Sequence, residues 1–269
     1  RNAHLLAAPQ CGRVEVIDLG LEPGEPALAA LTDAEIAARW PLPGPDDDKY
    51  SQGVVGIVAG SDTYPGAAVL STSAAVAATS GLTRYVGTAA TQVLARHPEV
   101  VATRTFAEAG RAQAWVVGPG LGTDTRAAGL LREVLATEVP VLVDADGLTL
   151  LAAEPELLAG RRAPTLLTPH AGEFARLTGQ PVGDDRLAAV AGLARQLNAT
   201  VLLKGRITLV AAPDGPVLGN DAGSSWAATA GTGDVLSGIA GALLSTGLSA
   251  RWAGAAAARL HARAAVLAS

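Results

Sequence analysis

Short, mainly apolar segments recur along the chain, separated by polar or glycine-rich turns. Six of them have the length of a strand: 53–60, 83–87, 114–118, 140–144, 165–168 and 200–204. Segments of helical length lie between them, one at 67–80 and one with Leu187, Val190, Leu193, Ala194 and Leu197 on one face, which Asp184 is placed to cap. Short apolar strands that alternate with helices are typical of βαβ units. The pattern therefore predicts an α/β fold, a mainly parallel sheet with helices on both faces.

After Lys204 the pattern changes. Apolar runs at 207–211 and 216–219 flank the turn Pro213-Asp214-Gly215, which predicts a hairpin at the edge of the sheet. Two alanine-rich helices are predicted to follow, at 233–245 and 250–267.

Residues 1–48 do not share this regularity. A strand-like segment at 13–19 leads into Gly/Pro-rich sequence that ends in Pro45-Asp46-Asp47-Asp48, a composition typical of linkers. We therefore expect a boundary before Lys49. The chain contains no Met, so we expect Arg1 to be an internal point of a longer polypeptide or a processed end.

Composition narrows the function. The 269 residues are 49% hydrophobic and 17% charged, with a net charge of −5 and no basic run, which argues against nucleic-acid and membrane partners. The apolar runs are far shorter than the ~20 residues of a transmembrane helix. A single cysteine, Cys11, excludes an internal disulfide and fits the reducing cytoplasm.

The stretch from Ala230 to Gly238 (AGTGDVLSG) carries the strongest chemical signal. Gly231 and Gly233 allow positive φ and close approach to a ligand, and the helix predicted to follow directs unpaired N–H groups at the turn. This favours an anion such as phosphate. Asp234 beside an anion is unfavourable unless it handles a proton or a metal, although interaction with the helix dipole is the simpler interpretation.

Other strand ends carry unusual loops, and ligands of open α/β sheets bind at the carboxyl ends of strands. These loops are 60–68, Gly118-Pro119-Gly120-Leu121-Gly122, Asp144-Ala145-Asp146-Gly147, Thr168-Pro169-His170-Ala171-Gly172-Glu173 and Lys204-Gly205. The glycine spacing at 118–122 does not fit a dinucleotide fingerprint, and no Walker A sequence is present.

Each candidate in these loops also has a structural interpretation. Asp144 and Asp146 suit Mg²⁺ bound through water, or Asp146 caps a helix. His170 contacts a ligand or caps a helix. Lys204 reaches a phosphate or extends to solvent.

Taken together, these motifs from Lys49 to Ser269 resemble the ribokinase-like superfamily, and within it the ADP/ATP-dependent NAD(P)H-hydrate dehydratases. The resemblance implies a three-layer α/β/α sandwich. It also implies a metabolite-repair enzyme that converts the S form of hydrated NADH or NADPH (NADHX, NADPHX) back to NADH or NADPH. The nucleotide, ADP or ATP, phosphorylates the hydroxyl of the hydrate, and phosphate then leaves; with ADP the products are AMP and phosphate.

The resemblance also implies roles for individual residues. Asp234 matches the base, and Gly231, Thr232 and Gly233 match the residues around the transferred phosphate. The nucleotide-binding positions match Lys204, Gly205, Arg206, Ile207, Thr208 and Gly233, and the substrate-binding positions match Ala67, Gly120, His170 and Asp234. Asp146 and Glu173 match positions near the phosphates and Mg²⁺, with no residue assigned directly as a metal ligand.

Residues 11–22 resemble the last strand of the epimerase domain that precedes the dehydratase in two-domain bacterial proteins, which favours ADP over ATP. The family also implies a homo-oligomer. Two alternatives stay open: a ribokinase-like kinase of a thiazole or pyrimidine alcohol, and a nucleotide sensor without catalysis. Asp234 argues against the sensor, because simple phosphate binding gains nothing from a carboxylate.

Overall fold

The computed structural model describes residues 4–15, 17–20, 24–79 and 81–268. Ten strands within these residues form a single sheet. They are β1 (Leu28–Ala29), β2 (Val54–Val58), β3 (Leu82–Val86), β4 (Val101–Thr103), β5 (Ala114–Val117), β6 (Val141–Val143), β7 (Thr165–Leu167), β8 (Thr200–Leu203), β9 (Ile207–Ala211) and β10 (Val217–Asp221).

The same residues form ten α-helices and two short 3₁₀ segments, at Leu5–Ala7 and Pro155–Leu158. The helices are α1 (Ala8–Cys11), α2 (Asp33–Arg39), α3 (Pro65–Ala78), α4 (Ala90–Arg96), α5 (Thr125–Leu135), α6 (Asp146–Ala153), α7 (Ala171–Thr178), α8 (Arg186–Leu197), α9 (Thr232–Ser245) and α10 (Ala250–Leu267). In the part of the chain that the structure covers, none is both long and apolar enough to cross a membrane.

The strand order across the sheet is β1-β10-β9-β8-β7-β6-β5-β2-β3-β4. All neighbouring pairs are parallel except the two that involve β9, which pairs antiparallel with both β8 and β10. The predicted α/β class, the parallel sheet and the β9–β10 hairpin are confirmed. The two-residue strand β1 lies parallel to β10 and covers the outer side of the hairpin.

Apolar side chains cover both faces of the sheet, which explains why the central strands read as continuous apolar runs rather than alternating ones. One buried cluster joins the sheet to α5, α6 and α8 through residues such as Leu131, Leu148 and Val190. The other joins it to α3, α9 and α10 through residues such as Ala75, Leu243 and Ala256. The result is the expected three-layer sandwich.

Several local predictions need correction. Asp185, not Asp184, caps α8: its side chain accepts a hydrogen bond from the Ala188 N–H at 2.9 Å. The segment 13–19 is predicted to be a strand, but its described residues form none. No neighbouring strand pairs with them, and Ile17 and Leu19 are exposed. Val16 lies outside the described residues. The helix predicted to end at Ser80 ends at Ala78, and Ser80 itself also lies outside the description.

The segment before Lys49 contains two elements that pack on the sandwich. Besides β1, helix α2 begins with a capping box formed by Thr32 and Glu35. Asp33 in its first turn accepts hydrogen bonds from Arg259 and Arg263 of α10. Helix α2 is thereby held on the α10 side of the sheet.

Helices α3 and α9 pack closely because of the glycine at position 238. A Cβ at Gly238 would lie 2.2 Å from the carbonyl oxygen of Ser71 and 2.8 Å from the Cβ of Ala74. This contact holds α9 against the helix that follows β2, and so helps to place the first turn of α9 at the edge of the sheet.

We predict that Gly238→Ala lowers the free energy of unfolding by about 1–3 kcal/mol, because the methyl group overpacks a contact with backbone atoms. The matched control is Gly192→Ala within α8, where a Cβ meets nothing within 4 Å. There the substitution should stabilise by about 0.5–1 kcal/mol, the helix-propensity gain. Urea unfolding of both variants tests this, and equal changes at the two sites would refute the packing argument.

Candidate active site

The carboxyl ends of five strands lie side by side, in the order β8, β7, β6, β5, β2. Backbone hydrogen bonds continue between the loops beyond the strands. The Lys204 N–H donates to the Pro169 carbonyl at 2.8 Å, and the Gly118 N–H donates to the Val58 carbonyl at 3.1 Å. The loops that sequence analysis selected therefore converge on one edge of the sheet, as predicted.

Asp144 connects three elements at this edge. It follows β6, and its side chain is 1% exposed. Its Oδ1 accepts a hydrogen bond from Lys204 Nζ, at the end of β8, at 2.7 Å, and its Oδ2 accepts one from Ser237 Oγ, on α9, also at 2.7 Å. Asp144 thus acts as a structural partner of Lys204 and of the helix that carries Asp234.

Lys204 is shared between two carboxylates. Its Nζ lies 2.7 Å from Asp144 Oδ1 and 3.6 Å from Glu173 Oε2. Burial by itself lowers the pKa of Lys204, but the two carboxylates outweigh it, so the pKa lies above its usual value. The ammonium group is therefore charged and points into the site rather than to solvent.

His170 and Glu173 form a capping box at the start of α7. His170 Nδ1 accepts from the N–H groups of Gly172 and Glu173, and Glu173 Oε2 accepts from the His170 N–H at 2.8 Å. The structure therefore supports the capping interpretation for Nδ1 of His170. The imidazole side chain is 54% exposed, and its Nε2 lies 3.5 Å from Glu173 Oε1.

The glycine turn before α9 has the predicted form in part. Gly231 has a φ of +85° and caps the helix, whereas Gly233 lies in the first helical turn without a positive φ. A Cβ at Gly233 would lie 3.7 Å from Lys204 Nζ. Within the described structure the N–H groups of Gly233 and Asp234 have no acceptor, so the turn presents two free donors to an anion.

The side chain of Thr232 holds this turn in place. Its hydroxyl contacts the carbonyl oxygen of Ala227 at 2.7 Å and that of Thr229 at 2.8 Å. It thereby fixes the loop that leads into α9.

Asp234 lies in the first turn of α9, close to three other charges. Burial and then the negative charge of Asp144 raise the pKa of Asp234 to about 6; Lys204 acts in the opposite direction, and Asp146 adds to the rise. A carboxylate with this pKa is ionised at neutral pH and accepts a proton more readily than an ordinary aspartate. Asp234 has the properties of a general base.

The Gly118–Gly122 loop packs on the start of α3. Gly120 has a φ of +59°, and a Cβ there would lie 2.6 Å from the Cβ of Ala67. Asp146 does not cap α6; its Oδ2 accepts a hydrogen bond from the Gly122 N–H at 2.8 Å. The structure thus brings Ala67 and Gly120 together. The hydrogen bond from Gly122 to Asp146 connects their loop to the first turn of α6.

A cavity of about 320 Å³ opens on the Lys204 side. The residues predicted for the site that line it are His170, Lys204, Gly205, Arg206, Thr208, Thr232 and Gly233. The other predicted residues lie outside it: Ala67, Gly120, Asp146, Glu173, Ile207, Gly231 and Asp234. The side chain of Ile207 is 3% exposed and packs in the apolar core.

Sequence reasoning missed three residues of this region. Asn220 and His261 line the cavity, and Asn220 Nδ2 donates to the Ala258 carbonyl at 3.3 Å, which ties the hairpin to α10. Burial lowers the pKa of His261, so its imidazole is neutral at neutral pH. Ser237 is the third. Of the three, only Ser237 could have been found from the sequence, because it lies one helical turn after Asp234.

The fold defines a ribokinase-like α/β protein, with a cavity at the carboxyl edge of its sheet. A ribokinase-like superfamily protein from Enterococcus faecalis aligns with a TM-score of 0.79 and 27% identity, over 90% of this chain and 89% of that one. An ADP/ATP-dependent NAD(P)H-hydrate dehydratase from Bacillus subtilis, co-crystallised with ATP and Mg²⁺, aligns with a TM-score of 0.78 and 28% identity, over 89% of each chain.

Sequence relatives identify the family. The profile described as NAD(P)H-hydrate dehydratase matches residues 55–269. The ADP-dependent (S)-NAD(P)H-hydrate dehydratase of Neisseria meningitidis is 41% identical over 82% of this chain and 78% of that protein. The chain belongs to the NAD(P)H-hydrate dehydratase family.

A longer relative is more similar in sequence. The bifunctional NAD(P)H-hydrate repair enzyme Nnr of Mycobacterium tuberculosis H37Rv is 62% identical over 92% of this chain. The chain spans about half the length of that relative, with 52% of it covered.

We predict that Asp144→Asn lowers the free energy of unfolding by about 3 kcal/mol, because it removes a buried partner of Lys204. Ser237→Ala should cost about 2 kcal/mol, the loss of a buried hydrogen bond to a charged group. The control is Asp221→Asn, which breaks the more exposed pair with Arg206 and should cost about 1 kcal/mol or less. Denaturant unfolding tests the order, and equal losses for Asp144→Asn and Asp221→Asn would contradict it.

We also predict a pH-dependent effect on stability from Asp234. Its folded-state pKa of about 6 lies above the ordinary 3.8, so the folded protein holds the proton more tightly than the unfolded chain does. The ionised side chain therefore lowers stability progressively as pH rises between these values. Asp234→Asn should unfold with a higher free energy than the wild type at neutral pH. The difference should shrink as pH falls through about 6, and a pH-independent difference would contradict the assignment.

Proposed function

We propose that this chain catalyses the nucleotide-dependent dehydration of the S form of NADHX and NADPHX to NADH and NADPH. The observation that carries the proposal is Asp234 itself. It is a carboxylate with a raised pKa, subject to the charges of Asp144, Lys204 and Asp146, on a turn with two N–H groups that have no acceptor among the described residues. The name of the Neisseria relative, an ADP-dependent (S)-NAD(P)H-hydrate dehydratase, supports it.

The nucleotide is proposed to occupy the cavity, with its phosphates toward the Gly233 turn. Lys204, Gly205, Arg206, Thr208 and Gly233 line that space, and Ile207 takes part through its backbone, since its side chain is buried. We propose ADP as the co-substrate, in agreement with the Neisseria relative; the Bacillus structure carries both ADP and ATP in its name.

Mg²⁺ is proposed to accompany the nucleotide. Among the described residues no group of three or more His, Cys, Asp or Glu is arranged to hold a metal ion. The donor set nevertheless fits Mg²⁺, which takes one or two carboxylates and completes its shell with phosphate oxygens and water. Asp146 and Glu173 would supply those carboxylates near the phosphates. The bound ion would neutralise phosphate charge.

The hydrated dinucleotide is proposed to bind on the opposite side of Asp234. Ala67 and Gly120 would contact it there, with Asp234 at its hydroxyl. His170 would contact it from the cavity, which His170 lines. The close contact of Gly120 with Ala67 leaves a surface of backbone and small side chains that a large ligand can approach. The side chain of His170 is 54% exposed and would supply a polar group to this ligand.

The chemistry follows from this arrangement. Asp234 accepts the proton of the hydrate hydroxyl, whose oxygen forms a bond to the terminal phosphorus of ADP while the bond to AMP breaks. Lys204 and the N–H groups of Gly233 and Asp234 stabilise the charge on the transferred phosphoryl group. Loss of phosphate and of a proton from the neighbouring carbon then restores the double bond. The sum is hydrate plus ADP to reduced cofactor, AMP and phosphate.

The wider context is also proposed. We infer that residues 49–269 form the dehydratase unit and that residues 1–48 connect it to a preceding epimerase-like domain; the bifunctional name of the mycobacterial relative supports this. We further propose that the protein is a homo-oligomer and that it is cytoplasmic. The reducing cytoplasm fits a free cysteine, Cys11.

We predict that Asp234→Asn lowers turnover by about 10²–10⁴-fold, because the base is lost while the turn and its N–H donors stay. The assay follows the absorbance of reduced nicotinamide in mixtures of hydrated NADH with ADP or ATP, and calorimetry measures ADP binding. Asp214→Asn, in the hairpin turn, is the control and should leave turnover unchanged. The wild-type rate should fall as pH drops below about 6, where Asp234 is protonated.

Two results would contradict the proposal. One is a wild type that restores no reduced cofactor with either nucleotide but phosphorylates a thiazole or pyrimidine alcohol. The other is an Asp234→Asn variant that keeps most of its rate, which would remove Asp234 from the role of base.

A further inference from the structure

Arg186, the first residue of α8, places its guanidinium group against the turn that follows β8. Its Nη2 lies 3.4 Å from the carbonyl oxygen of Lys204. A Cβ at Gly205 would lie 2.7 Å from Nη2 and 3.3 Å from Nη1. The planar group therefore packs on the backbone of Gly205, a space that only a glycine leaves open.

The charge of Arg186 is not balanced within the described part of the chain. There the side chain makes no ion pair, and its single hydrogen bond is the long one to Lys204. A guanidinium has five N–H donors, and burial lowers the pKa of Arg186. Arg186 is half-buried, and a partly desolvated guanidinium with one long hydrogen bond leaves donors for a further partner.

Arg161 shows what a satisfied arginine looks like in the same protein. Burial also lowers the pKa of Arg161. Its guanidinium, however, donates to three carbonyl oxygens, those of Leu135, Thr137 and Val139, and to the hydroxyl of Thr165. Arg161 thus serves the fold, whereas Arg186 has no comparable set of acceptors.

The other cations at this end of the cavity are already neutralised. Lys204 is paired with Asp144 and Glu173, and Arg206 with Asp221 at 2.8 Å. A polyphosphate that enters the site also meets the carboxylate of Asp234. Binding a polyphosphate therefore requires a cation that is not already in an ion pair with the protein. Among the described side chains beside Gly205, Arg186 is such a cation.

We propose that Arg186 is a further binding residue of the site, which donates hydrogen bonds to the phosphate chain of the nucleoside diphosphate across Gly205. A guanidinium suits this role because its planar fork binds two phosphate oxygens at once. This inference rests on the proposed function, because it takes the nucleotide to occupy the cavity. It adds a phosphate contact from a residue that does not itself line the cavity.

The test compares ADP, AMP and adenosine as ligands of the intact chain by calorimetry. Arg186→Gln should weaken ADP binding by about 10- to 100-fold, the range for a lost hydrogen bond to a charged group. It should leave adenosine binding unchanged. Arg195→Gln is the matched control, because it removes the same charge from an exposed position on the same helix, and its ADP affinity should equal that of the wild type.

Two outcomes would overturn the inference. Equal losses for ADP and adenosine would mean that Arg186 only supports the turn at Gly205, and an unchanged ADP affinity would mean that it has no role in binding. If Arg186→Gln does not fold, Arg186→Lys replaces it, and wild-type ADP affinity in that variant would exclude the two-point contact. Turnover of the hydrate is measured separately, so a wild type that binds ADP through Arg186 without turnover would refute only the proposed function.

Discussion

The buried ion pair between Lys204 and Asp144 is the interaction on which the site depends. Its 2.7 Å contact joins the ends of β8 and β6, and the second oxygen of Asp144 accepts a hydrogen bond from Ser237 on α9. Glu173 adds α7 to the same cation at 3.6 Å. Because a buried charge without its partner is costly, these elements keep their relative positions only while the whole group is intact. The turn with Asp234 is positioned by that group.

The same group sets the electrostatics of the site. Burial of Asp234 and then the negative charge of Asp144 raise its pKa, Asp146 adds to the rise, and Lys204 offsets only part of it, so the pKa of Asp234 reaches about 6. The carboxylate that looked unfavourable beside an anion site thereby becomes a good proton acceptor. The first turn of α9 presents N–H groups without an acceptor among the described residues, and the guanidinium group of Arg186 lies beside the turn at Gly205.

Close packing of small residues makes this arrangement possible. Gly238 lets α9 touch the backbone of α3 at Ser71, and Gly120 lets its loop touch Ala67. Both contacts bring backbone near the site, where a larger side chain would force elements apart. The abundance of alanine and glycine in the sequence is explained by helices that lie tightly on the sheet.

The sequence by itself determined the parallel sheet, the edge hairpin, the final two helices and the loops that carry Lys204, His170 and Asp234, because apolar runs and glycine turns are local signals. It did not reveal the role of Asp144 as the partner of Lys204 and Ser237, since these residues are 60 and 93 positions away from it. Nor did it reveal Asn220 and His261 in the cavity on the Lys204 side, Arg186 beside Gly205, or the addition of β1 to the sheet. Those features depend on distances between distant segments, which only the packing of the folded chain decides.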